Sequence, residues 1–287
     1  MIHNIGDTVE LYNGVKMPGL GFGVWQISEE DTAESVKLAI KNGYRNIDTA
    51  AAYHNEKKVG EGIRAAMREY GIGREDLFVS TKLWNDHRGY DKAVEAIEDS
   101  LCTLDIGYID LYMLHWPAVK KWHSDWREIN RDTYRATEEY YGKGLLKSIG
   151  VANYLAYHVQ ALSEDADIKP MVNQIEYHPG FGQTESADYC QKNGIVVEAW
   201  SPLGTGDVLK NRTLAAIGEK YGKSSAQICI RWLIQKNIVP IVKTTHEARM
   251  IQNADVFDFS ISDEDMQIID TLPYCGGMRF DPDSARS

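Results

Sequence analysis

The chain has no CxxC pair, no His/Cys cluster at metal-ligand spacing and no apolar run long enough to cross a bilayer. Its four cysteines, Cys102, Cys190, Cys229 and Cys275, are scattered along the sequence. That pattern excludes a disulfide framework and a cysteine metal site, and it predicts free thiols in a reducing cytoplasm. A membrane span needs about 18 or more consecutive apolar residues, and none occurs. The start, Met1-Ile2-His3-Asn4-Ile5-Gly6-Asp7, lacks a basic stretch and an apolar core, so no secretory signal is expected. Positive charge is also short: 31 Lys and Arg stand against 42 Asp and Glu, a net charge of −11. Nucleic acid and anionic membranes are therefore poor partners, and an anionic ligand would need a local basic patch. No proline- or serine-rich linker or low-complexity segment divides the chain.

What is present is ordinary globular composition, 43% hydrophobic and 25% charged over 287 residues. The first elements read as a hairpin: Thr8–Leu11 and Val15–Met17 flank Asn13-Gly14, a strong hairpin turn signal. A steady alternation follows. Short β-branched or aromatic runs around Gly21, Ile47, Val79, Leu111, Ile149, Val172, Val197 and Val239 read as buried strands. Amphipathic stretches near 31–42, 56–70, 92–104, 126–141, 155–162, 185–192, 213–221, 225–235 and 263–272 read as helices, several stopped by glycine. Eight βα units at spacings of roughly 30 residues predict a closed (β/α)8 TIM barrel with an N-terminal β-hairpin, rather than an open sheet. Such barrels reach about 250 residues as one domain, so residues 1–287 read as a single domain.

Gly19, Gly21 and Gly23 tempt a dinucleotide-fingerprint reading. The spacing is G-x-G-x-G, not G-x-G-x-x-G, and no helix opens directly after it. Tight strand packing and close backbone approach are the expected use.

Three strands end in polar residues: Asp48, Lys82 and His115, with Tyr53 five residues beyond the first. In parallel α/β folds the carboxyl ends of strands open onto the binding face. Each residue has a bland use taken alone, as a helix cap, a loop aromatic, a solvated charge or a loop histidine. Asp, Tyr, Lys and His gathered on one face make a proton-donating site suited to carbonyl reduction.

Five segments make the pattern specific. Gly43-Tyr44-Arg45-Asn46-Ile47-Asp48-Thr49-Ala50, Tyr53-His54-Asn55-Glu56, Ser80-Thr81-Lys82-Leu83-Trp84, Asp110-Leu111-Tyr112-Met113-Leu114-His115-Trp116-Pro117 and Asn173-Gln174-Ile175-Glu176-Tyr177-His178-Pro179 resemble, in order, the signatures of the aldo-keto reductases. Trp200-Ser201-Pro202-Leu203-Gly204 and the short tail look most like the bacterial branch, which includes 2,5-diketogluconate reductases. The resemblance implies NADPH lying across the strand ends and a catalytic tetrad of Asp48, Tyr53, Lys82 and His115, with no metal.

The chemistry accounts for the residue types. Reduction moves a hydride to carbon and a proton to oxygen, and the proton donor must reach the developing alkoxide. A free tyrosine has a pKa of about 10, and a neighbouring ammonium stabilises the phenolate. Lys82 is expected to lower the pKa of Tyr53, Asp48 to hold Lys82, and His115 to orient the carbonyl.

By the same resemblance, Asn153 and Gln174 hold the nicotinamide carboxamide, Trp200 stacks on the ring, and Ser201 and Leu203 join the cofactor site. Ala152 stands where relatives have serine, removing one side-chain hydrogen bond worth about 1 kcal/mol. Lys243, Thr244, Arg249, Gln252 and Asn253 resemble the family's 2′-phosphate motif, with Thr245 able to cap the short helix that follows. Gln252 for glutamate, and His246 and Glu247 in place of less polar residues, weaken the match. Trp25, Trp84 and Trp116 are expected to wall the substrate pocket. The loop 118–125, with Lys120, Lys121, Trp122 and His123, and the tail with Arg279 would set selectivity. A monomer acting on a small carbonyl compound is the resulting expectation. The alternatives are a cofactor-binding regulatory or redox-sensing subunit with little turnover, which an intact tetrad argues against, and a Schiff-base aldolase using Lys82, which the Asp48 counterion argues against.

Overall fold

The computed structural model describes residues 2–284. The hairpin is formed by β1 (Thr8–Glu10) and β2 (Lys16–Pro18), antiparallel, with Glu10 opposite Lys16. It closes the amino-terminal end of the barrel. Asn13 Nδ2 donates to the Lys147 carbonyl at 3.0 Å, at the start of the barrel strand Leu146–Ala152, and the Tyr12 hydroxyl donates to the Lys169 carbonyl, just ahead of the barrel strand Val172–Glu176.

Then come β3 (Gly21–Gly23), α1 (Glu29–Lys41), β4 (Asn46–Asp48), α2 (Glu56–Tyr70), β5 (Phe78–Leu83) and α3 (Tyr90–Leu104). They are followed by β6 (Ile109–Leu114), α4 (Trp126–Gly142), β7 (Leu146–Ala152), α5 (Ala156–Asp165), β8 (Val172–Glu176) and α6 (Thr184–Lys192). The chain continues through β9 (Val196–Trp200), α7 (Arg212–Tyr221), α8 (Ser225–Gln235), β10 (Ile238–Val242), α9 (Glu247–Ala254) and α10 (Asp263–Asp270). Strands β3 to β10 form one closed parallel barrel, β10 pairing β3. The expected barrel and hairpin are therefore both present.

Helix starts follow capping chemistry. Ser28 accepts from the Asp31 amide, Asn211 from Thr213 and Leu214, Ser224 from Gln227, and Ser262 from Asp265. The short helix α9 departs from expectation. Its N-cap is His246 without a side-chain bond, while Thr244, not Thr245, turns its hydroxyl oxygen to the His246 amide at 3.1 Å.

Along each strand, alternate residues face the helices or the lumen. Ile47 joins the buried apolar core, whereas Asn46 and Asp48 bond to groups on other strands. The glycines of β3 make this possible. A Cβ on Gly21 would lie 2.2 Å from Ile241 Cδ1 and 3.1 Å from Asn46 Nδ2, so the strand leaves its lumen space to side chains from β4 and β10. Close packing is thus the use of these glycines, as the sequence predicts.

Candidate active site

Asp48 is the last residue of β4, Lys82 lies one from the end of β5, and His115 immediately follows β6. All three are at the carboxyl mouth of the barrel, and all three are buried. Lys82 Nζ donates to Asp48 Oδ1 at 2.7 Å, to Asp48 Oδ2 at 2.9 Å and to the Thr49 carbonyl at 2.9 Å. Asp48 Oδ1 also accepts from Ser80 Oγ at 3.0 Å and from Gln174 Nε2 at 2.9 Å.

Tyr53 ends a single 3-10 turn, Ala51–Tyr53, that leaves β4. The motif residues around it hold that turn in place. Thr49 Oγ1 donates to Asn55 Oδ1 at 2.9 Å, Asn55 Nδ2 to the Val24 carbonyl at 3.1 Å, and Thr81 Oγ1 to Glu56 Oε1 at 2.6 Å. Lys82 Nζ is consequently 5.2 Å from the Tyr53 ring centre, and the His115 ring meets Tyr53 edge-on at 5.8 Å. The four residues expected to act together are one cluster.

Burial dominates the electrostatics. It pushes the Tyr53 phenol above its usual pKa; Lys82 pulls it down but does not win. Lys82 thus acts in the expected direction, but desolvation of a phenolate outweighs one ammonium that Asp48 already neutralises, and the net shift is upward. For Lys82, burial favours the neutral amine, but Asp48, Tyr53 and Glu198 more than offset it and keep the ammonium. Burial, with Lys82 adding to it, holds His115 well below the ordinary imidazole range, so the ring is neutral. A neutral imidazole still offers one N–H donor.

The expected amide pair lines the same mouth. Asn153, in the left-handed region at φ 62, follows β7; its Oδ1 accepts from Trp200 Nε1 at 2.8 Å and its Nδ2 donates to the His115 carbonyl at 3.0 Å. Trp200, half-buried at the end of β9, is therefore fixed by its own N–H rather than packed in the core. Ser201 follows at φ 52, and Leu203 is half-buried in the same turn.

Among the tryptophans, Trp84 lies edge-on to His115 at 5.0 Å, and Trp116 meets Phe280 of the tail at 6.0 Å. Trp25 is half-buried just past β3, where the Val24 amide bonds to the Asp48 carbonyl at 3.1 Å.

A separate basic corner follows β10. Lys243 and Arg249 are exposed beside the start of α9, Gln252 is exposed, and Thr244 and Asn253 are buried. Neither cation makes an ion pair among the described residues. Glu247 is turned away: Lys41 Nζ donates to it at 3.0 Å and Asn42 Nδ2 at 3.1 Å. Its charge is thus spent on α1 and does not oppose an anion at this corner.

Sequence reasoning missed two buried groups. Glu198 in the middle of β9 binds Gln174 and Asn46; the available signal was a lone acid in the run Val196-Val197-Glu198-Ala199-Trp200, in lumen-facing step with Trp200. The Glu176–His178 pair docks the C-terminal tail, Glu176 Oε1 accepting from the Met278 amide at 2.6 Å. Asp110, part of a signature segment, serves the fold instead, binding Arg74 at 2.6 Å and the Val79 amide at 2.9 Å.

The model of the Aldo/keto reductase family matches residues 17–273. Glyoxal reductase of Bacillus subtilis (strain 168) is 48% identical over 270 residues, covering 94% of each chain. Among solved structures, an aldo-keto reductase from a Medee basin deep-sea metagenome library superposes with a TM-score of 0.91 at 41% identity, over 98% of this chain and 100% of that one. A Bombyx mori aldo-keto reductase in complex with NADP superposes with a TM-score of 0.85 at 34% identity, over 94% and 93%.

Proposed function

The chain belongs to the aldo/keto reductase family, and we propose that Asp48, Tyr53, Lys82 and His115 are its catalytic residues, with Tyr53 as general acid. The reaction is NADPH-dependent reduction of an aldehyde or ketone to the alcohol. The observation that carries the assignment is the buried Lys82–Asp48 pair held within 5.2 Å of the Tyr53 ring at the barrel mouth.

The residues present fit the cofactor. Two unpaired cations at the start of α9 suit a phosphate, Arg249 in bidentate fashion. The Asn153-anchored face of Trp200 suits a flat ring, and Asn153 and Gln174 suit its amide. Lys243, Thr244, Arg249, Gln252 and Asn253 would hold one end, and Asn153, Gln174, Trp200, Ser201 and Leu203 the other. When bound, NADPH supplies the hydride.

The protein's own part is proton delivery. Tyr53 gives its phenolic proton to the carbonyl oxygen as charge develops there, and Lys82 stabilises the phenolate left behind. Asp48 keeps Lys82 charged and immobile. Neutral His115 donates its ring N–H to the same oxygen, a preorganised donor in a dry site. Trp25, Trp84 and Trp116 exclude water around the substrate.

The closed barrel takes strands from Gly21 to Val242, which supports a single domain over residues 1–287, and a monomer is the proposed state; residue 1 and residues 285–287 lie outside the described residues. All four cysteines are free, which supports a reducing compartment. No helix among the described residues is long and apolar enough to cross a membrane.

The test is loss of NADPH absorbance with a panel of aldehydes, ketones and keto-sugars, comparing wild type with Tyr53→Phe. Turnover that vanishes in the variant while NADPH binding persists is expected. Unchanged turnover would refute Tyr53 as the acid; none in the wild type would refute the reductase reading.

A further inference from the structure

The lumen beneath the tetrad holds a carboxyl group with no part in the reaction described so far. Glu198 is fully buried. Its Oε2 accepts from Gln174 Nε2 at 3.0 Å, and its Oε1 from Asn46 Nδ2 at 3.1 Å. The same Gln174 nitrogen donates to Asp48 Oδ1 at 2.9 Å. One amide therefore ties Glu198 to the carboxylate that holds Lys82. The tie is built into the barrel register, where Gln174 of β8 lies directly opposite Glu198 of β9.

The charged groups acting on Glu198 are Asp48 from β4 and Lys82 from β5; Asn46 and Gln174 are neutral, and the Gly21, Gly23 and Ile241 of β3 and β10 that pack beside Asn46 and Asp48 carry no charge. Two carboxylates thus share one ammonium in a dry lumen. Full ionisation would leave a buried negative charge without a partner, which is costly. Burial, with Asp48 adding to it, pushes the Glu198 carboxyl up to about 7. A second observation is independent of that value. Asn46 Oδ1 is buried with no hydrogen-bond partner, so a half-turn of this amide presents an acceptor to a protonated Glu198.

We propose that Glu198 is a positioning residue of this site: it holds the Gln174 amide against Asp48 and, by gaining or losing one proton, sets how strongly Lys82 acts on Tyr53. The role rests on the reductase reading above. Ionised Glu198 places a second negative charge near Lys82 and cancels part of its pull on the phenolate, so Tyr53 becomes a weaker acid. Protonated Glu198 leaves Lys82 answerable to Asp48 alone. The rate of reduction therefore falls as Glu198 ionises with rising pH.

The experiment measures kcat for carbonyl reduction at saturating NADPH against pH in wild type and Glu198→Gln, together with the infrared band of a protonated carboxyl group. The wild type should lose several-fold in kcat through neutrality, and Glu198→Gln should hold its rate to more alkaline pH. The infrared band should be present in the wild type below neutrality, fade above it, and be absent from the variant. Glu198→Asp, which keeps the charge but cannot reach Gln174, should lower kcat at every pH and keep the limb. Superimposable profiles for wild type and Glu198→Gln overturn the proposal. So does a wild type with no carboxyl band titrating near neutrality, a readout that stands even where a variant fails to fold. Absence of wild-type turnover at any pH overturns the reductase reading, and this role with it.

Discussion

Lys82 Nζ lies 2.7 Å from one oxygen of Asp48 and 2.9 Å from the other, with the two side chains 1% and 5% exposed. Neither charge is tolerable there without its partner. Removing one side of such a pair costs about 3–5 kcal/mol, because the other is left buried and unpaired. Lys82→Met should therefore lower thermal stability and abolish turnover. Asp48→Asn/Lys82→Met, which removes both charges, should recover much of the stability and none of the turnover. Calorimetry and steady-state kinetics on the three proteins check this; a double variant as unstable as the single one would refute it.

Acid should weaken the fold through His158. Burial, partly offset by Asp283 and Asp281, lowers this imidazole from 6.5 to about 4. The unfolded chain takes up its proton first as pH falls. Stability is therefore lost between pH 6.5 and about 4 and is level below that, to a total of about 3 kcal/mol. His115, held low by burial and Lys82, acts with the same sign. Denaturant unfolding across that window should show a smaller acid loss in His158→Gln than in the wild type. Equal losses would refute the assignment to His158.

The tail depends on Gly277. This residue has φ +90, and a Cβ would lie 2.1 Å from His178 Nε2 and 2.5 Å from Glu176 Oε1. Gly277→Ala should destabilise by about 1–3 kcal/mol and raise KM for carbonyl substrates, since the same segment seats Phe280 against Trp116. Gly222→Ala is the control: its φ is also positive, at +65, with nothing within 4 Å of the added carbon. It should lose less stability and leave KM alone. Matching losses would show that backbone strain, not the docked tail, is responsible.

Cofactor choice should lie with the corner after β10. Arg249→Ala removes a charge-assisted bond worth about 1.5–3 kcal/mol, or roughly tenfold to a hundredfold in NADPH affinity. NADH affinity should scarcely change, and the salt dependence of NADPH binding should flatten. Fluorescence titration with both cofactors decides it; equal losses for NADPH and NADH would remove Arg249 from phosphate recognition.

The sequence by itself determined the barrel. Eight buried runs alternating with amphipathic stretches have few other ways to cover both faces of a parallel sheet, and a strand end is a strand end wherever the barrel closes. Asp48, Lys82 and His115 were legible for that reason, and Tyr53 through its motif. Tertiary structure alone decided what those groups feel. Whether Lys82 wins over burial at Tyr53, that Glu247 is spent on Lys41, and that Glu198 lies within reach of the Asp48–Lys82 pair all depend on distances across strands far apart in the chain. Local pattern reports which face of a strand a residue takes. Coulombic and desolvation energies depend on what closes over that face, and closure of the barrel sets both.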